Sequence, residues 1–250
     1  METRVIVTGA TSGIGNAVVR QYLRAGARIA AFGRDREALM EVASLADESV
    51  LRTFACDLAS GSEWESVMSE ACGWLGEVDV LVNSAGIIAN GTIENTGDSD
   101  WDRMISVNLT SVFKVTKFVV ARMRRPGGAV VNVSSVAGTR AFPNVLAYCV
   151  SKAGVDQLTR CSALELAEAG IRVNAVNPGV VVSNLHRRSG MDEGTYSGFL
   201  EHSKTTHPLG RVGNPDEIAD LICFLASEKA GWITGETVAI DGGRGQTCAR

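Results

Sequence analysis

Apolar residues in this chain fall into short runs at 4–7, 28–32, 50–55, 78–82, 128–133, 171–176 and 238–240, each of strand length. The runs lack polar alternation, so the sheet they predict is parallel and covered on both faces. Between them, residues 16–24, 35–45, 62–75, 100–125, 148–169 and 215–226 carry helical spacing. This alternation predicts an α/β fold: a single-domain, Rossmann-like, doubly wound parallel sheet of about seven strands with helices on both faces. No repeat, low-complexity tract or linker divides it, so residues 1–250 form one domain. The segment 180–207 breaks the rhythm. It is long and polar, and reads either as a substrate-binding loop or as a solvated surface excursion.

Composition narrows the class. Hydrophobic residues make up 45% and charged ones 21%, as in a soluble globular protein with a sizeable core. Lys plus Arg is 24 against Asp plus Glu 28, a formal net charge of -4, which argues against a nucleic-acid partner. The basic cluster Arg122, Arg124 and Arg125 closes the predicted helix 100–125, where cations balance the helix dipole. Cys56, Cys72, Cys149, Cys161, Cys223 and Cys248 are scattered, and His186, His202 and His207 lack ligand spacing, so reduced thiols and no metal site are expected. No apolar run approaches the ~20 residues that span a bilayer, so no membrane association is expected. Residues 1–4 lead directly into a strand and residues 248–250 match no targeting signal, which makes the cytoplasm the expected location.

Candidate chemistry begins at the first turn. Gly9, Gly13 and Gly15 follow the first strand and open a helix. That arrangement points backbone N–H groups and a helix N-terminus at an anion, and suits a nucleotide. At the end of the second strand Gly33 stands where a carboxylate would bind the ribose of NAD(H), and Arg34 follows. A guanidinium fork there grips a 2′-phosphate, favouring NADP(H) over NAD(H); a solvated Arg at a helix start is the plain alternative. Asp57 ends the third strand, placed either to accept from an adenine amino group or to cap a turn. Asn108 interrupts the apolar stripe of Trp101, Met104 and Val107, which by itself suggests a satisfied buried amide. Tyr148 and Lys152 are four residues apart, so on a helix they share a face. A cation beside a phenol lowers its pKa and makes it usable as an acid or base, although such pairs also occur as mere surface neighbours.

Taken in order, Thr8-Gly9, Gly13, Gly15, Asp57, Asn83, Ala85-Gly86, Asn108, Ser135, Tyr148, Lys152, Pro178-Gly179, Ile233-Thr234-Gly235 and Asp241-Gly242-Gly243 resemble the short-chain dehydrogenase/reductase family. The chain looks like its compact branch, with 3-oxoacyl-carrier-protein reductases and carbonyl reductases. The resemblance implies hydride transfer between NADP(H), or NAD(H), and a small carbonyl or alcohol substrate, an acyl thioester among the candidates. It implies that Ser135 holds the substrate oxygen, Tyr148 passes the proton, Lys152 tunes Tyr148 and bonds the nicotinamide ribose, and Asn108 keeps a water in a relay to Lys152. It also implies that Gly9, Ser12, Gly13, Ile14 and Gly15 line the pyrophosphate, Asp57 and Leu58 the adenine, and Asn83, Ala85 and Gly86 the adenosine side. Pro178 and Gly179 precede Val181 and Ser183, which would meet the carboxamide. Relatives commonly form homotetramers, or homodimers, through the two long helices. Ser84 stands where Asn is common and Ser183 where Thr is common, and both stay small and polar. A dinucleotide-binding sensor without catalysis, or an NAD(H)-dependent alcohol dehydrogenase of the same family, are the rival readings.

Overall fold

In the computed structural model, which describes residues 2–59, 61 and 63–247, the apolar runs become β1 (Arg4–Thr8), β2 (Arg28–Gly33), β3 (Leu51–Ala55), β4 (Val80–Asn83), β5 (Ala129–Val133), β6 (Arg172–Pro178) and β7 (Thr237–Ile240). All pair in parallel, in the order β3-β2-β1-β4-β5-β6-β7. The runs are uninterrupted because alternate residues feed two cores. Val5, Val7, Ile29, Ala31 and Val131 pack under α1 (Gly13–Arg24) and α9 (Pro215–Ala226). Ile6, Phe32, Leu81 and Val130 pack under α3 (Glu63–Leu75), α5 (Ser111–Val120) and α6 (Leu146–Leu166). Each fully buried side chain of this size contributes about 1.5–3 kcal/mol relative to exposure. The predicted start of α3, Ser62, and the predicted C-terminal residues 248–250 lie outside the described residues.

Two expectations are corrected. The helix predicted over 100–125 begins as α4 (Asp98–Ile105), widens to a π-helical turn at Ser106–Thr110, and ends with α5 at Val120. The three arginines lie beyond it. Arg122 and Arg125 donate to the carbonyls of Phe118 and Val120, whereas Arg124 pairs with Asp79 at 3.1 Å. The segment 180–207 is helical, with α7 (Leu185–Arg188) and α8 (Glu193–Thr206). Asp192 caps α8 by accepting from Thr195 N, and Tyr196 anchors it at 1% exposure.

Strand order reverses between β1 and β4, which opens a crevice at their carboxyl ends. A side chain at Gly9 would lie 2.8 Å from the Ala85 backbone, so the two turns after β1 and β4 pack directly together. Thr8 Oγ1 reinforces this by accepting from the N–H groups of Ser84 and Ala85.

Candidate active site

The crevice continues into one cavity of about 1170 Å³. At one end stands the first turn of α1, which starts at Gly13 and not at Asn16, so that Ser12, Gly13 and Ile14 line the cavity. Gly13 has φ +53°, a left-handed conformation that a β-carbon resists. Gly15 is required for packing, since a β-carbon there would lie 2.3 Å from the Gly9 carbonyl oxygen. Ser12 makes no side-chain cap bond and the first turn holds no acidic residue, so the positive end of the helix is left open to the cavity. Arg34 lines the same end from the exit of β2 and is exposed. An open helix N-terminus with a guanidinium nearby fits a dinucleotide's phosphates.

At the other end α6 brings Tyr148, Ser151, Lys152 and Asp156 to its buried face. Lys152 Nζ lies 5.7 Å from the Tyr148 ring centroid and donates to the Val133 carbonyl at 2.8 Å. Ser135 sits at the end of β5 in extended conformation, and its Oγ accepts from Ala137 N at 3.1 Å. The Ser135 side chain acts on the Tyr148 phenol from this side and favours its ionised form.

The net shift of the Tyr148 phenol is upward, because burial outweighs whatever lowers it. Burial pushes Tyr148 up to about 12, and the Ser135 hydroxyl offsets only part of that rise. Burial likewise lowers Lys152 to about 8, opposed by the charge of Asp156. At neutral pH the resting pair is therefore a phenol and an ammonium, both desolvated.

Asp156 and Asn177 complete this end, and the sequence reading passed over both. Asn177 Nδ2 donates to the Ser135 carbonyl and to Asp156 Oδ2, each at 2.9 Å, and so ties the exit of β5 to α6. Ser134 Oγ donates to the Lys152 carbonyl at 3.1 Å. Burial holds the Asp156 carboxyl above its ordinary pKa. Two signals in the sequence point here: Asp156 repeats the four-residue step from Lys152, and Asn177 directly precedes Pro178.

Of the other predicted residues, Gly9, Ala85, Gly86, Pro178, Gly179, Val181 and Ser183 line the cavity. Asn108 is fully buried on the π turn; its Oδ1 accepts from Ile87 N at 2.8 Å and its Nδ2 donates to Ile87 O at 2.9 Å and Ser151 Oγ at 3.1 Å. A β-carbon at Gly86 would meet both Asn108 Oδ1, at 3.4 Å, and Lys152 Nζ, at 3.7 Å, so these two groups share one neighbourhood. Gly15, which is needed for packing, and Asn108 stand outside the lining, and three further predicted residues are not brought to it. Asn83 is turned into the sheet, where it donates to Thr116 and Asn132. Asp57 is exposed and caps its own turn through Ala59 N, and Leu58 is buried in the core under α3.

Comparison with known proteins agrees with this arrangement. The family profile described as Enoyl-(Acyl carrier protein) reductase matches residues 9–244. A 3-oxoacyl-[acyl-carrier-protein] reductase of Thermotoga maritima is 36% identical, over 95% of this chain and 96% of its own. D-threitol dehydrogenase of Mycolicibacterium smegmatis is 38% identical, over 95% and 91%. A cofactor-bound short-chain dehydrogenase/reductase of unknown function from Caenorhabditis elegans superposes with TM-score 0.91 at 32% identity, covering 98% of this chain and 96% of that one. The chain belongs to the short-chain dehydrogenase/reductase family, whose members bind a nicotinamide dinucleotide. It is an oxidoreductase of that family.

Proposed function

We propose that the protein interconverts a carbonyl and a secondary alcohol using NADP(H), with Tyr148 as general acid and base. The observation that carries this reading is the buried Tyr148, one helical turn from Lys152 and lining with Ser135 the same cavity as the open N-terminus of α1. The bound dinucleotide supplies the hydride donor or acceptor. In reduction, Tyr148 gives its proton to the substrate oxygen. Ser135, whose Oγ already accepts from Ala137, directs its O–H at the same oxygen as negative charge develops. In oxidation the proton returns from the alcohol to Tyr148 as the carbinol hydrogen leaves as hydride. Lys152 stabilises the phenolate that reduction leaves and oxidation starts from, and Asn108 braces the turn at Gly86 beside it, where a water extends the proton path. Gly9, Ser12, Gly13 and Ile14 hold the pyrophosphate, and Val181 and Ser183 the carboxamide. Arg34 favours the 2′-phosphate.

The test is a cofactor-consumption screen over ketones and alcohols, repeated with Tyr148→Phe. The variant retains NADPH binding and loses ~10²–10⁴ of the turnover. Full turnover by Tyr148→Phe refutes the role of the phenol.

A further inference from the structure

Asn177 and Asp156 lie behind the cavity lining, and each is 1% exposed. Resting on the role of Ser135 given above, we propose that both are positioning residues of the reaction. They touch neither substrate nor cofactor, and act by fixing where the Ser135 hydroxyl points.

The need for such a device follows from where the sheet stops. β5 ends at Val133, paired with Val176, and the Ser134 N–H makes one more ladder bond, to the Val176 carbonyl at 2.9 Å. Beyond it the chain leaves the sheet through the tight turn Val136–Gly138. The bonds that Ser135 makes inside this turn are local. Its carbonyl accepts from Gly138 N at 2.8 Å and its Oγ from Ala137 N at 3.1 Å. Local bonds shape a turn but leave it free to pivot about the strand end. A hydroxyl that must meet a developing charge has to be held from outside as well.

Asn177, one residue past that last ladder bond, supplies the hold. Its amide nitrogen donates to the Ser135 carbonyl and to Asp156 Oδ2, each at 2.9 Å. Asp156 thereby orients the amide, and it also abuts the far end of the turn. A β-carbon at Gly138 would lie 2.4 Å from Asp156 Oδ2 and 3.0 Å from the Lys152 carbonyl oxygen. Ser134 Oγ donates to that same carbonyl at 3.1 Å. The turn is thus held at its start by Ser134, at the Ser135 carbonyl by Asn177, and at its end against α6, which carries Tyr148. Tying the exit of β5 to α6 sets Ser135 relative to Tyr148, so that both hydroxyls meet one substrate oxygen. Asp156 serves here as an acceptor. Its Oδ1 has no donor among the described residues, and neither has Oδ1 of Asn177. An amide at position 156 therefore keeps the acceptor for Asn177 and loses no bond.

The experiment uses the full chain with NADPH and the ketone that the cofactor-consumption screen shows to be turned over fastest. Asn177→Leu, similar in size but without a donor, is made alone and together with Ser135→Ala. Alone it lowers kcat by ~10–100-fold, the effect of a misplaced catalytic group, and leaves the KM for NADPH nearly unchanged. On top of Ser135→Ala it lowers kcat by no more than about twofold, because no hydroxyl remains to be placed. Equal losses in the two backgrounds make Asn177 a fold residue and overturn the proposal, as does no loss in either. Asn177→Ser goes through the same cycle should Asn177→Leu not fold. Asp156→Asn keeps most of the turnover that Asp156→Leu loses. Equal loss in both would mean that the carboxylate acts by its charge on Lys152, one turn away, and overturns the assignment of Asp156. Full turnover by Ser135→Ala alone would defeat the reading of Ser135 itself. A loss there, with an independent loss from Asn177→Leu, would leave that reading standing and defeat the positioning role only.

Discussion

Lys152 shows how much of a functional side chain's chemistry is set by burial. The spacing Tyr148 to Lys152 is legible in the sequence, because a helix places residues four apart on one face and within reach of each other. The direction of the Tyr148 shift is not, because it depends on desolvation by groups far apart in the chain. Asp156 and Asn177 escaped for the same reason: their bond joins residues that meet only when β6 lies beside β5. The cost of Lys152 is measurable. Its folded pKa is about 8 against an ordinary 10.5, so the folded state loses the proton first. Stability is then lowered below about pH 8 and recovers as pH rises toward 10.5. Lys152→Met removes the buried charge together with one hydrogen bond to Val133. At pH 7 it should melt higher, by about 2–8 °C if the net gain is about 1–2 kcal/mol, while losing turnover. The gap between the two melting curves should close above pH 8. A variant that melts lower at every pH would mean that the amine acts as a strut.

At the scale of elements, the segment after β6 was the least legible. Gly194, Ser197, Gly198, Thr205 and Thr206 are weak helix formers, so local propensity pointed to a loop. Tertiary packing decided otherwise, through Tyr196 under α8 and the Tyr196 hydroxyl, which donates to the Ser183 carbonyl at 3.0 Å and accepts from its N–H at 3.1 Å. The π turn of Asn108 escaped likewise, since nothing in the stripe of Met104 and Asn108 separates an α from a π turn. His207 fastens the far end of this flap. The Val180 N–H must donate, so His207 Nε2 accepts at 3.1 Å and Nδ1–H donates to the Ser203 carbonyl at 2.6 Å. Gly179 is tied to this ring, because a β-carbon there would lie 2.7 Å from Nε2. His207→Phe keeps the ring and removes both bonds, leaving a part-buried N–H without an acceptor at a cost of ~1–3 kcal/mol. Val181 and Ser183 ride on that strap, so the KM for NADPH should rise several-fold with a smaller change in kcat. A lower melting temperature with unchanged KM would make His207 a fold residue only.

For the whole molecule, parallel pairing explains why the sheet was readable: strands buried on both faces must be apolar throughout, and such runs stand out against amphipathic helices. About seven were expected and seven are present among the described residues, with β1, β4 and β6 extended by a residue or two at their carboxyl ends into Thr8, Asn83 and Asn177-Pro178. Those ends converge on the reversal between β1 and β4, so the cofactor end was legible as a motif. In the proposed function its choice between dinucleotides hangs on Arg34. That side chain is exposed, and among the described residues it pairs with no carboxylate, which leaves its charge for a phosphate. A ligand that binds only the folded state stabilises it by ~2.7 kcal/mol at a hundred times its Kd. In a chain of 250 residues that corresponds to a rise of ~5–10 °C in melting temperature. At equal concentrations NADPH should therefore raise the melting temperature more than NADH. Arg34→Ala should shrink the NADPH shift toward the NADH one and leave the NADH shift in place, since NADH carries no 2′-phosphate for the guanidinium to hold. Equal shifts with the two cofactors in the unmodified protein would remove the preference for NADP(H). Equal losses in the variant would reduce Arg34 to a solvated surface charge.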